Sequence, residues 1–237
     1  MQAIILAGGQ GTRLKPFTTN IPKPLVPIDD LPILEVVLRQ LKYHGFKDVV
    51  IAVNRLAELI MAFFGDGKKL GLNISYSLED KMLGTAGPLS LIDNLHDNFL
   101  VMNGDLLTTL NYGDLFKYHL ANKNTATISV YKKKVKIDLG VVKVDNGIFS
   151  DYIEKPVYNF DVSMGIYIFN RKVKDFIPAN AKMDMPELLL KLRDEKQRIG
   201  CYSGNYYWLD IGRISDYETA VQIFKDKRKE FLPDEKI

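Results

Sequence analysis

The chain has 237 residues, 46% of them hydrophobic and 26% charged, with a formal net charge of +3. This is the composition of an ordinary globular enzyme, too weakly basic to argue for nucleic acid and without an apolar run long enough for a membrane span. One cysteine, Cys201, excludes an internal disulfide, and His44, His96 and His119 lie too far apart for metal-ligand spacing. With Met1 leading directly into a strand and no leader-like stretch, the expected setting is the cytoplasm.

An apolar run over 2–6 reads as a buried strand. It stops at Gly8, Gly9 and Gly11, with Thr12, Arg13 and Lys23 just beyond, the last inside Pro22-Lys23-Pro24. Glycines there let the backbone approach a bulky ligand with its N–H groups aimed at phosphate oxygens, and the two cations suit a polyphosphate. The Gly-x-x-x-x-Gly-Lys-Ser/Thr loop is absent. The dinucleotide fingerprint half fits, but Leu14 stands in place of its third glycine, and Asn54-Arg55 supplies no acid for a ribose.

Helix 33–44 follows, then strand 48–53, helix 56–64, strand 73–78, helix 86–94 and strand 98–102, an alternation that predicts parallel β/α units. From 125 to 169 the pattern turns antiparallel, with strands at 125–132, 139–144, 148–153 and 164–169 and a hairpin turn at Asp145-Asn146-Gly147. Helices at about 185–196 and 214–226 flank a strand at 198–203, and the charged stretch 225–237 is expected to fray. The fold class is α/β, a mostly parallel central sheet flanked by helices with an antiparallel β excursion. The whole chain reads as one domain, with halves of about 1–122 and 123–223 and a tail at 224–237.

Ligands of such sheets bind beyond the carboxyl ends of the strands. Asn103-Gly104-Asp105 ends the fourth strand there, and a carboxylate facing a phosphate loop is a natural Mg²⁺ ligand. Capping the next turn is the plainer role for Asp105. Asp210, in Tyr206-Tyr207-Trp208-Leu209-Asp210-Ile211-Gly212, is a second acid in an apolar setting. It either caps the helix near 214 or shares a cation with Asp105.

These segments, together with Glu154-Lys155-Pro156, Met164-Gly165-Ile166-Tyr167 and Leu139-Gly140-Val141-Val142, closely resemble the sugar-1-phosphate nucleotidyltransferases, from Met1 to about Ile223. The resemblance implies a Rossmann-like nucleotidyltransferase fold whose β insertion forms the sugar side. Leu6, Ala7, Gly8, Gly9, Gln10, Gly11, Thr12 and Arg13 would wrap the nucleoside triphosphate, along with Gly84, Thr85, Asn103 and Gly104. Lys23 would sit on the α-phosphate and the sugar phosphate, and Asp105 and Asp210 would hold Mg²⁺. Glu154 would bind sugar hydroxyls, Lys155 the sugar phosphate, and Gly140 and Gly165 would lie beside the sugar. The partners would be small molecules, an NTP and a sugar 1-phosphate, with no nucleic acid or membrane. The attacking phosphate is already ionised at neutral pH, so the chemistry needs charge neutralisation and alignment rather than a general base.

The base is read from Glu79, five residues before Gly84, where thymidylyl- and uridylyl-transferring relatives often carry glutamine. A carboxylate accepts but cannot donate, which matches the two adjacent donors of guanine and repels the carbonyls flanking the single donor of uracil or thymine. Leu83-Gly84-Thr85-Ala86-Gly87-Pro88-Leu89 also resembles the mannose-1-phosphate guanylyltransferase branch. A solvated loop acid is the alternative for Glu79. UTP, dTTP or CTP use stays open, as does a non-catalytic regulatory paralogue, although the joint presence of Arg13, Lys23, Asp105 and Asp210 argues against the latter. Asn159-Phe160-Asp161-Val162-Ser163 is the expected sugar-pocket lining, with mannose, heptose and amino-sugar phosphates all open. Lys132-Lys133-Lys134 reads as an exposed strand end, and 225–229 as a solvated helix end.

Overall fold

The computed structural model describes residues 1–9 and 11–235; Gln10 of the glycine loop and the last two residues of the tail lie outside the described residues. The strands are β1 (Gln2–Leu6), β2 (Pro27–Ile28), β3 (Leu31–Pro32), β4 (Asp48–Val53), β5 (Asn73–Leu78), β6 (Asn98–Asn103), β7 (Leu106–Thr108), β8 (Ala126–Lys136), β9 (Val141–Asp145), β10 (Ile148–Ile153), β11 (Val157–Asn170), β12 (Ile199–Ser203) and β13 (Trp208–Asp210). The α-helices are α1 (Ile33–Tyr43), α2 (Ala57–Phe64), α3 (Tyr112–Ala121), α4 (Met185–Asp194) and α5 (Ile214–Phe231).

Seven strands form the central sheet in the order β12-β8-β11-β6-β1-β4-β5. The ladders β1–β4, β1–β6, β4–β5 and β8–β12 are parallel, and β11 runs antiparallel to both β6 and β8. Alternation along the strands divides the core. Ala3, Ile5, Val49, Ile51 and Val53 face a layer holding α1, α2 and α3, whereas Ile4, Val50, Phe99 and Val101 face α4. In α1 the apolar positions Leu34, Val37, Leu38 and Leu41 are all fully buried, as the helical period requires. A third cluster joins α5 to β2, β3 and β7 through Ile28, Leu107, Phe224 and Phe231. Among the described residues no helix is long and apolar enough to cross a membrane.

Several predicted elements change. The expected helix at 86–94 is only a 3₁₀ turn, Gly87–Leu91. The N–H groups of Ala86 and Gly87 at its start both bond to the Met183 carbonyl, which anchors the turn to the segment before α4. The tail does not fray at 225. Helix α5 continues, with a kink at Lys227, to Phe231, and Phe231 and Leu232 are buried. Arg228 there is no solvated end, because it pairs with Asp29, Asp30 and Glu235. Helix α3 is unpredicted, although Asn111 caps it and Tyr112, Leu115, Phe116 and His119 trace its buried stripe. Strands β8 and β11 run well past the predicted 125–132 and 164–169. Their ladder projects beyond the core, with a register shift between Ser163 and Tyr167.

Candidate active site

The carboxyl ends of β1 and β6 lie side by side, with Leu6 opposite Asn103 in a parallel ladder, and the Gly104 N–H donates to the Leu6 carbonyl at 3.0 Å. Above them opens a cleft of about 440 Å³. Its floor is Leu6, Ala7, Gly8 and Gly9 with Asn103, Gly104 and Asp105, and one wall is Lys23-Pro24. The opposite wall is Glu79, Met82, Gly84 and Thr85. Of the expected nucleotide-side residues, the structure therefore gathers these around one cavity.

The two acids converge by a device that no local pattern encodes. Strands β7 and β13 form a short antiparallel ladder in which Asp210 faces Leu106. The Ile211 N–H donates to the Asp105 carbonyl at 3.3 Å. The carboxylates are close enough to raise the pKa of Asp210, first through loss of water around it and then through the Asp105 charge, with Lys23 and Arg13 opposing. Arg13 does not line the cleft directly. Its guanidinium carbon lies 3.7 Å from where a Gly212 side chain would begin, at the edge of the acid pair.

Asp105 and Lys23 form an ion pair through Oδ2 and Nζ, with side chains 22% and 10% exposed. The other carboxylate oxygen, Oδ1, is buried and has no hydrogen-bond partner. An unpartnered buried carboxylate oxygen is costly unless something else coordinates it. The donor set is right for Mg²⁺, which binds through one or two carboxylates plus substrate phosphates. Among the described residues no group of three or more acids, histidines or cysteines could form a complete protein cage.

Glu79 is half-buried at the cleft and hydrogen-bonded there. Its Oε2 accepts the Leu83 N–H at 3.1 Å, and its backbone carbonyl accepts from Asn54 Nδ2 at 2.9 Å. A Cβ on Gly8 would lie 2.9 Å from Oε1, so a side chain there would push the Glu79 carboxylate from its present position against the glycine loop. Burial raises the Glu79 pKa, partly offset by the Leu83 hydrogen bond. The loop beyond it is locked from the other half of the chain. Gly84 has φ +79°, and a Cβ there would meet Asp184 Oδ1 and the Met183 carbonyl at 2.6 Å. The Thr85 N–H donates to Asp184 Oδ1 at 3.1 Å, and Thr85 Oγ1 accepts the Met185 N–H at 2.7 Å. Lys182 and Asp184 thus line the cleft as well, unforeseen from sequence. The signal available was Asp184-Met185-Pro186-Glu187, a capping-box pattern that fixes the start of α4 but says nothing of the loop it clamps.

The expected sugar-side residues are not gathered with these. Gly165 abuts the Asn103 amide, near the cleft floor. Gly140, Glu154 and Lys155 cluster instead on the projecting arm, where Tyr152 donates to Glu154 Oε2 at 2.9 Å and Gly140 abuts the Tyr152 hydroxyl. None of the three lines the cleft, nor do residues 159–163, which form the arm portion of β11. Of these, Asn159, Phe160 and Asp161 pair with Lys134, Lys133 and Lys132, and Val162 and Ser163 with Tyr131 and Val130. The aromatics behind Asp210 are structural: Trp208 Nε1 donates to the Met164 carbonyl at 3.0 Å and Tyr206 to the Val130 carbonyl at 2.7 Å.

Residues 2–227 match the family profile described as nucleotidyl transferase. The chain belongs to that family. It is 36% identical to a UTP–glucose-1-phosphate uridylyltransferase of Synechocystis over 94% of this chain and 63% of that protein. It is 33% identical to a probable mannose-1-phosphate guanylyltransferase of Oryza sativa over 95% of this chain and 65% of that one. The chain therefore spans a little under two thirds of the length of these relatives. Among solved structures, HddC from Yersinia pseudotuberculosis complexed with GMP-PN superposes with a TM-score of 0.72 at 25% identity, covering 94% of this chain and 99% of that one. The α/β architecture with its mostly parallel sheet is the one shared with that neighbour.

Proposed function

We propose that this chain transfers a nucleotidyl group from an NTP to a sugar 1-phosphate, releasing pyrophosphate by direct in-line displacement. The observation that carries the reading is the convergence of the glycine loop, the Lys23–Asp105 pair and Asp210 at one end of the sheet. Two phosphates repel, so the reaction needs fixed cations and an aligned pocket more than a proton carrier. Gly8, Gly9, Gly11 and Thr12 wrap the triphosphate, Arg13 and Lys23 offset its charge, and Asn103 and Gly104 shape the floor. Asp105 and Asp210 hold the divalent cation, Mg²⁺ by its donor set; when bound, the cation supplies charge neutralisation at the phosphates. Gly165, near the cleft floor, lies beside the sugar in this reading, and Gly140, Glu154 and Lys155 would meet the sugar 1-phosphate from the arm, Glu154 at its hydroxyls and Lys155 at its phosphate.

GTP is the nucleotide this reading favours. Glu79 keeps acceptor capacity facing the cleft after taking the Leu83 N–H, and guanine offers two adjacent donors to a carboxylate. The rice relative is named a guanylyltransferase and the HddC structure holds GMP-PN. The name of the Synechocystis relative supports uridylyl transfer as the second reading. A matrix of NTPs against mannose, glucose, heptose and amino-sugar 1-phosphates, assayed for pyrophosphate, tests both. The expected result is turnover with GTP foremost, and Glu79→Gln shifting preference toward UTP or dTTP. Absence of pyrophosphate with every pair sinks the catalytic reading, and an unchanged base preference in Glu79→Gln sinks the base assignment alone.

A further inference from the structure

Lys23 is assigned to a phosphate and Asp105 to a cation in the reading above, yet here they are bonded to each other. Neither has another charged partner at ion-pair distance among the described residues. Both side chains are largely withdrawn from water, so each would be a poorly compensated charge without the other. The neighbouring Asp210 makes this sharper, because removing the ammonium leaves two carboxylates facing one another.

A divalent cation arriving alone meets an acid already neutralised by an ammonium and is repelled by that ammonium. A metal-free triphosphate arriving alone must take Lys23 from Asp105 and expose two acids to a polyanion. When both arrive, every charge is matched: the cation takes Asp105, including its unpartnered Oδ1, and Lys23 turns to the phosphates. We propose that the Lys23–Asp105 pair is an exchange latch that makes cation and nucleoside triphosphate binding mutually dependent, Lys23 passing from Asp105 to phosphate as the cation enters. This rests on the nucleotidyltransferase reading of the site and adds a coupling that the site's composition alone does not require. Such coupling is reciprocal, so it is visible from either ligand.

The test uses the intact chain and binding rather than turnover. Mn²⁺ affinity is measured by electron paramagnetic resonance without nucleotide, and GTP affinity by calorimetry in EDTA. Lys23→Met should bind Mn²⁺ alone more tightly than the unaltered protein, on the order of tenfold, within the usual range of site coupling. Asp105→Asn should bind metal-free GTP more tightly by a similar factor. In a Lys23→Met background the Asp105→Asn change should give no gain over Lys23→Met alone, whereas simple relief of repulsion would give the same gain in both backgrounds. Circular dichroism confirms folding, and if Lys23→Met does not fold, Lys23→Gln takes its place as the single variant and as the background for Asp105→Asn. Unchanged Mn²⁺ affinity in Lys23→Met, or an Asp105→Asn gain in metal-free GTP affinity as large in the Lys23→Met background as in the unaltered protein, overturns the latch. Failure of Mn²⁺ to bind either protein even with GTP present overturns the cation assignment beneath it, a distinguishable result.

Discussion

Strand β6 and the β9–β10 ladder are built from the same kinds of side chain and meet opposite surroundings. Phe99, Leu100, Val101 and Met102 of β6 are all 0% exposed, sandwiched between β1 and β11 with helices on both faces. In the ladder, Val142 pairs with Tyr152 and Val144 with Phe149, giving one apolar face whose members are 52–64% exposed. The other face carries the Lys143–Asp151 ion pair and half-buried Val141 and Ile153. Apolar strand residues thus stabilise only where other elements cover them. The covered strand also delivers Asn103, Gly104 and Asp105 to the cleft, whereas Gly140 and Glu154 flank the uncovered ladder and pack on Tyr152.

The contrast breaks most visibly at Phe99. Truncating Phe99→Ala should lower unfolding free energy by about 3–5 kcal/mol in denaturant titration, because the packed sheet cannot collapse around the void. A smaller effect comes from His119, 1% exposed and bonded to Thr127 Oγ1 and Asn98 Oδ1, its pKa lowered by burial to about 4. The unfolded chain takes up this proton first, so stability is full above about pH 6.5 and declines as pH falls toward 4, by up to about 3 kcal/mol. His119→Gln should flatten that slope in thermal melts between pH 7 and 4; an unaltered slope removes His119 as its source. Gln40 ties the core to the chain's end, donating to the Thr108 and Phe231 carbonyls at 2.7 and 3.0 Å and accepting from Tyr112. Gln40→Leu should cost about 1–3 kcal/mol, and hydrogen exchange should show the end of α5 loosening first. At the small end, Phe149→Ser on the arm should change stability by no more than about 0.5 kcal/mol. A loss comparable to that of Phe99→Ala would show that the arm's apolar face is covered in solution.

The same division explains what was legible. The alternation of apolar runs and helical stripes up to 102 depends on neighbours close in sequence, and strands β1, β4, β5 and β6 match their predicted spans within a residue. Helix α3 carries a glycine in its first turn, and its stripe of Tyr112, Leu115 and Phe116 is satisfied only by packing on the sheet. The span 86–94 is helical only as a short turn, whose start is set by the Met183 carbonyl, far along the chain, holding the N–H groups of Ala86 and Gly87. The tail was underread because Arg228 finds Asp29 and Asp30 only in three dimensions.

The glycines after β1, the strand that ends at Asp105 and the acid Glu79 at its spacing from Gly84 are legible in the chain alone, since each is a local statement about backbone freedom or side-chain chemistry. The tertiary structure decided the rest. It laid β13 against β7 so that Asp210 reaches Asp105, clamped Gly84 and Thr85 with Asp184, and bonded Lys23 to the acid it faces. Those contacts join residues distant along the chain, and their partners are selected by sheet register and burial, which no local pattern specifies.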